Sequence, residues 1–177
     1  GASLEMVWER DNYDITSITS FSDTDSLRMT DVDGTQLWVI YTNRPESYKF
    51  TTQEFRLTSN GDGNVQWMGG LYASKAETSM RSTLDLGWLL LGAEDFMHVA
   101  VPFETSDQTD SKLAGFGNIT VDLGDWEIAA GLRVDRWEAE REAVDIGHKA
   151  TQSDTQILGN LSVTRTFDDD YIAYFSV

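Results

Sequence analysis

The sequence predicts an all-β protein, folded as an antiparallel up-and-down meander of about eight strands. Three observations lead there. Apolar residues recur with a period of two and almost nowhere with the 3.6 spacing of a helix. Thr, Val, Ile, Tyr and Trp are frequent, and only two prolines interrupt the 177 residues, a composition that suits pleated, half-buried strands. Short clusters of Gly, Asp and Asn stand between the alternating runs, where hairpin turns need them.

The first hairpin is expected to run from residues 4–10 through Asp11-Asn12 into residues 13–23. The second joins residues 49–60 to 65–75 through Gly61-Asp62-Gly63-Asn64, whose glycines accept positive φ. The third is the clearest. Leu113, Gly115, Gly117, Ile119, Val121 and Leu123 share one face of residues 112–123, with Asn118, Thr120 and Asp122 opposite. Across Gly124-Asp125, Trp126, Ile128, Ala130, Leu132 and Val134 alternate with Glu127, Ala129, Gly131, Arg133 and Asp135. One face is therefore apolar and the other polar or small. The fourth hairpin carries Ile157, Leu161 and Val163 on residues 153–167 and turns at Asp168-Asp169-Asp170 into residues 171–177.

Between the hairpins lie long polar connections, residues 24–48, 76–110 and 138–152, the middle one with an ambiguous strand over 82–91. Runs of roughly bilayer-crossing length, with tight turns at one end and long loops at the other, make up the layout of an outer-membrane β-barrel. Residues 1–177 are expected to form a single, partial barrel domain. Such a wall either belongs to a larger barrel or closes on itself as a small soluble barrel around an apolar molecule. In the second case Ile128 and Leu132 would face inward.

Composition excludes several functions. With 13 Lys+Arg against 30 Asp+Glu, the net charge of −17 opposes binding to nucleic acid and to anionic lipid head groups. The absence of cysteine removes disulfides, thiol nucleophiles and zinc–thiolate sites. No apolar run approaches the roughly 20 residues of a membrane helix, the longest being Leu86 to Gly92. No nucleophile stands with a base and no glycine loop is built for phosphate. The chain is accordingly expected not to be an enzyme, with no catalytic, cofactor-binding or metal-binding residue.

Individual candidates have plainer explanations. His98 and His148 are far apart and lack a second ligand at metal spacing. Asp31-Val-Asp-Gly-Thr35 imitates the start of a calcium loop, but its twelfth position is Thr42 rather than a bidentate Glu. Asp168 to Asp170 read as an exposed turn. Asn118-Ile-Thr120 matches a glycosylation triplet yet falls inside a strand. Glu54, Arg56, Glu127, Arg133 and Asp135 all lie opposite the apolar face, where a large barrel turns residues toward its wet lumen. Trp8, Trp67, Trp126, Tyr171 and Phe175 sit near strand ends, as rings at a membrane interface do.

The stretch Phe50-Thr-Thr-Gln-Glu-Phe-Arg-Leu-Thr-Ser-Asn-Gly-Asp-Gly-Asn-Val-Gln-Trp-Met-Gly-Gly-Leu-Tyr72 resembles a barrel hairpin of TonB-dependent outer-membrane receptors. Asp14 to Phe21 followed by Asp31 to Gly34, Ala114 to Leu123 leading into Ala129 to Asp135, and Phe167 to Val177 agree in the same order. The resemblance covers nearly the whole chain and implies wall architecture, with no ligand chemistry in it. It further implies a bacterial outer-membrane location and uptake of ferric siderophores or similar scarce nutrients. Energy would come through TonB, contacted by an N-terminal part. Neither a TonB box nor a plug is recognisable, so an internal portion of a barrel of about 22 strands is expected. Its lipid-facing side should contact outer-membrane lipid, and the isolated piece should tend to self-associate.

Overall fold

In a computed structural model, which describes residues 1–34, 39–86, 99–167 and 171–177, the chain is one sheet of eight antiparallel strands in sequential order. They are β1 (Ala2–Glu9), β2 (Tyr13–Asp31), β3 (Ile40–Ser59), β4 (Val65–Leu86), β5 (Val99–Asp122), β6 (Trp126–Ala143), β7 (His148–Phe167) and β8 (Tyr171–Ser176). Among the described residues each pairs only with its neighbours in sequence. The expected meander is what forms.

The turns between β1 and β2, β3 and β4, and β5 and β6 all fall at one end, as a sequential antiparallel sheet requires. The β5–β6 turn is the tightest. Gly124 takes a φ of 82°, its N–H donates to Asp122 Oδ1 at 2.8 Å, and the Leu123 N–H donates to the Trp126 carbonyl at 2.8 Å. A side chain at Gly124 would strain this turn. The expected turn at Asp168 to Asp170 lies outside the described residues.

The long polar loops do not form as expected. β2 through β7 are 18 to 24 residues long and fill most of the residues assigned to connections. Between β6 and β7 only residues 144–147 remain, with Gly147 at a φ of 63°. The middle connection retains strand to Leu86 and from Val99 onward, and residues 87–91 lie outside the described residues. The reason is that alternation marks a strand only while its two faces meet different surroundings. Past the apolar band both faces carry Ser, Thr and charges, which read as loop. Pairing nevertheless continues in register, with Asp23 opposite Lys49 and Lys49 opposite Glu77, and opposite charges directly across a ladder favour it.

The sheet is open: among the described residues β1 and β8 pair with β2 and β7 alone. The alternative of a small closed barrel with Ile128 and Leu132 inside is thereby corrected, since Leu132 is 58% exposed. Two edges that do not meet cannot enclose a ligand.

Candidate functional site

Register assigns every side chain to one of two faces. On the apolar face β6 presents Trp126, Ile128, Ala130, Leu132 and Val134, and then changes to Arg136, Glu138 and Glu140. β4 presents Val65, Trp67, Gly69, Leu71 and Ala73 and then Lys75 and Glu77. The apolar band thus covers about nine residues of each of these two strands, close to the 9–11 that a tilted strand needs to cross a bilayer. The remaining half of each long strand stands beyond it.

Aromatic rings collect on the turn side of this band. Trp8, Trp67 and Trp126 all occupy the apolar face there, and Tyr171 stands opposite Phe167. Phe175 lies farther along, opposite Val163. The guanidinium of Arg165 rests 4.9 Å from the Trp126 ring and 4.2 Å from Phe167, a cation held between rings at the edge of the band.

Burial is inverted relative to a water-soluble domain. Among the described residues Ala114 is the one buried hydrophobic residue, while Ser17, Ser82, Asp85, Ser106 and Asp135 are buried. Large apolar side chains such as Ile157, Leu113 and Leu71 are more than half exposed. Many side chains of the opposite face shield one another.

That polar face carries the candidate site. One row across the sheet reads Glu54, Tyr72, Ala114, Asp135, and the row beside it Arg56, Gly70, Phe116, Arg133. Arg56 pairs with Glu54 two residues back on its own strand. Arg133 pairs with Asp135 in the same way, through Nε to Oδ2 at 2.8 Å and Nη2 to Oδ1 at 3.0 Å. Lys112 adds a second cation to Asp135 at 3.1 Å. The Arg133 guanidinium also lies 5.5 Å from the Phe116 ring, on the strand between the two acids. An ionic belt therefore lines this face at the level of the apolar band behind it.

Nearer the far ends of the strands a second group forms. Glu104 accepts from Arg44 at 3.0 Å and from Arg141 at 3.1 Å, one carboxylate oxygen each. Arg44 Nε also donates to Ser82 Oγ at 3.2 Å. These residues come from β3, β4, β5 and β6.

Glu54, Arg56, Glu127, Arg133 and Asp135, read from alternation, do share the polar face. Lys112, Phe116, Arg44, Glu104 and Arg141 are the partners that alternation missed, because only the register between strands brings them together. His148 opens β7 opposite Ala143, and His98 lies outside the described residues. The Asp31 motif is a turn: Asp31 Oδ1 accepts from the N–H groups of Asp33 and Gly34 at 3.1 and 3.2 Å, and Asp33 Oδ2 accepts from Ile40 N–H at 2.7 Å. Its Thr35 lies outside the described residues, and Thr42 sits in β3 opposite Thr30. Asn118-Ile-Thr120 is within β5.

The fold matches solved structures of uptake proteins. The ferric yersiniabactin uptake receptor FyuA from Yersinia pestis superposes with a TM-score of 0.76 at 20% identity, over 98% of this chain and 26% of that one. The ferric citrate transporter FecA, in its unliganded form, gives 0.75 at 16% identity over 98% and 26%. The copper transporter OprC gives 0.79 at 14% identity over 98% and 28%. At these identities the likeness establishes the fold, an outer-membrane-type meander similar to part of each receptor. This chain spans roughly a quarter of their length. The sequence matches no protein-family model and no curated protein.

Proposed function

We propose that this chain is a section of the wall of a TonB-dependent receptor in the bacterial outer membrane, taking up ferric siderophores or similar scarce nutrients. The observation that carries the reading is the inversion of its faces: Ile157 is 70% exposed while Asp135 is 4% exposed. Water opposes a bare apolar surface by about 25 cal/mol per Å², and a continuous band of that size calls for lipid. The ionic face then turns to the lumen, the tight turns to the periplasm and the long strand ends outward. The likeness to iron and copper uptake proteins supports the nutrient role. TonB would act through an N-terminal part of the receptor, and the wall itself performs no catalysis.

Two measurements test this. In vesicles of brominated lipid, the full receptor reduced to Trp126 as its single tryptophan should be quenched, and the same receptor reduced to Trp137, which faces the polar side, should not. Equal quenching would falsify the face assignment. Cells lacking residues 1–177 of the receptor should lose accumulation of iron supplied as ferric siderophore while still taking up ferrous iron; unchanged accumulation of siderophore iron would overturn the transport role.

A further inference from the structure

Among the described strand residues, the apolar band from the turns to Val134 of β6 holds a single charge, Arg165 of β7. Register fixes its face, since it stands opposite Trp126 on one side and Ala173 on the other. The acids of this end of the strands, Glu9, Asp14, Asp122 and Glu127, lie on the polar face. A chain of net charge −17 thus sets a cation, and none of its paired acids, on the turn-side edge of the band.

The Arg165 guanidinium is held in place but left without an acceptor. The Trp126 ring lies 4.9 Å away and the Phe167 ring 4.2 Å, and stacking on two rings fixes the plane of the fork. Nε is covered and has no hydrogen-bond partner, and no described residue gives the side chain an ion pair. Arg44, Arg56, Arg81, Arg133 and Arg141 differ in this respect, each meeting a carboxylate. Asp125, in the adjoining turn, touches β7 through its backbone carbonyl, which accepts from the Thr166 N–H at 2.8 Å. Asp168 to Asp170 lie outside the described residues. A covered donor without an acceptor is unfavourable, and all five N–H donors of this fork are unused.

We infer that Arg165, steadied between Trp126 and Phe167, binds the phosphate of a phospholipid in the leaflet on the turn side of the sheet. Ile128, Val163 and Phe175 continue the apolar surface from Arg165 into the band. A ligand that fits both parts joins an anionic head to hydrocarbon chains. Phosphate oxygens accept from guanidinium N–H groups in charge-assisted bonds stronger than neutral ones, and an arginine stem lies along apolar surface while its head reaches the polar boundary. Tyr171, exposed and opposite Phe167, brings a hydroxyl to the same edge. The inference rests on the proposed contact of the apolar face with lipid.

The test uses the full receptor, with Trp126 as its single tryptophan, in a maltoside detergent that carries no phosphate. It is titrated with brominated phosphatidylglycerol and, separately, with brominated diacylglycerol of the same chains. Both should quench Trp126, and phosphatidylglycerol should reach half-quenching at a mole fraction about tenfold lower. Arg165→Gln should remove that difference, whereas Arg136→Gln, on the same face at the far end of the band, should preserve it. Inorganic phosphate in excess should leave the phosphatidylglycerol titration where sodium chloride of equal ionic strength leaves it. Equal half-quenching by the two lipids in the receptor with Arg165 intact, or the same loss for Arg165→Gln and Arg136→Gln, overturns the site alone. Displacement of the lipid by inorganic phosphate assigns Arg165 to a free anion and overturns the lipid as its ligand. Absence of quenching by either lipid overturns the contact of this face with lipid, and the site with it.

Discussion

Phe116 fills the space that a side chain on Gly70 would take. The two residues face each other across the β4–β5 ladder, and a Cβ at position 70 would lie 2.5 Å from Phe116 Cζ and 2.6 Å from the Phe55 carbonyl oxygen. Since one of those atoms is backbone, rotation of the ring alone cannot make room. Gly70→Ala should therefore lower stability by about 1–3 kcal/mol, the usual cost of overpacking. Gly63→Ala, with open space around it, should cost far less. Urea midpoints of the two variants in detergent check this, and equal values would contradict the packing described.

Asp135 and Glu77 both accept from lysine, in surroundings of different polarity. Asp135 is held by Arg133 and Lys112 and is almost fully covered, whereas Lys75 and Glu77 are each about half exposed. Removing Asp135 as Asp135→Ala strands two cations on the polar face and should cost about 1–3 kcal/mol. Glu77→Ala should cost at most about 1 kcal/mol, and less at high salt. Comparing unfolding at low and high salt distinguishes them.

A charge on the apolar band separates lipid from water as its surroundings. In water, Leu132→Arg would be harmless at a position 58% exposed. Facing lipid near mid-bilayer, it should cost about 2–4 kcal/mol and sharply reduce insertion into vesicles. Thr155→Arg, which stands opposite Arg136 on the same face past the band, should insert normally. Equal insertion of both variants would place the band in water.

The Arg81–Asp107 pair lies beyond the band and gives a pH dependence. Two bonds, 2.8 and 2.9 Å long, together with the Ser79 hydroxyl, hold the Asp107 carboxyl below the ordinary aspartate range. A folded-state value lower than the unfolded one adds stability above the unfolded value, and that stability disappears as pH falls through the folded one. Arg81→Gln should accordingly melt below the wild type near pH 7, with the gap closing as pH drops below about 4. A gap that persists or widens in acid would contradict this account.

Alternation and turn chemistry made the sheet legible in the sequence, because β6 changes surroundings from one side chain to the next. Trp126 to Asp135 needed only its own ten residues to be assigned faces. The strand ends were illegible because beyond Ala73 or Val134 the two faces are alike in polarity, so Ser, Thr and Asp in β2 read as connection. The site was half legible for a related reason. Arg133 and Asp135 meet within one strand, whereas Arg44, Glu104 and Arg141 come from strands far apart in sequence and meet only through register. Closure could not be decided from pattern, since an eight-stranded barrel and an open wall share the same alternation.

Because, among the described residues, each strand touches only its neighbours in sequence, a hairpin can be gained or lost by the gene without redrawing the ladders on either side. Barrel diameter grows roughly in proportion to strand number, so duplication of a unit such as β5 and β6, whose turn needs little more than Gly124 and Asp125, would widen a barrel built from this sheet by a fixed step. Width in such an architecture changes by counting strands, while the side chains of the strand ends vary independently.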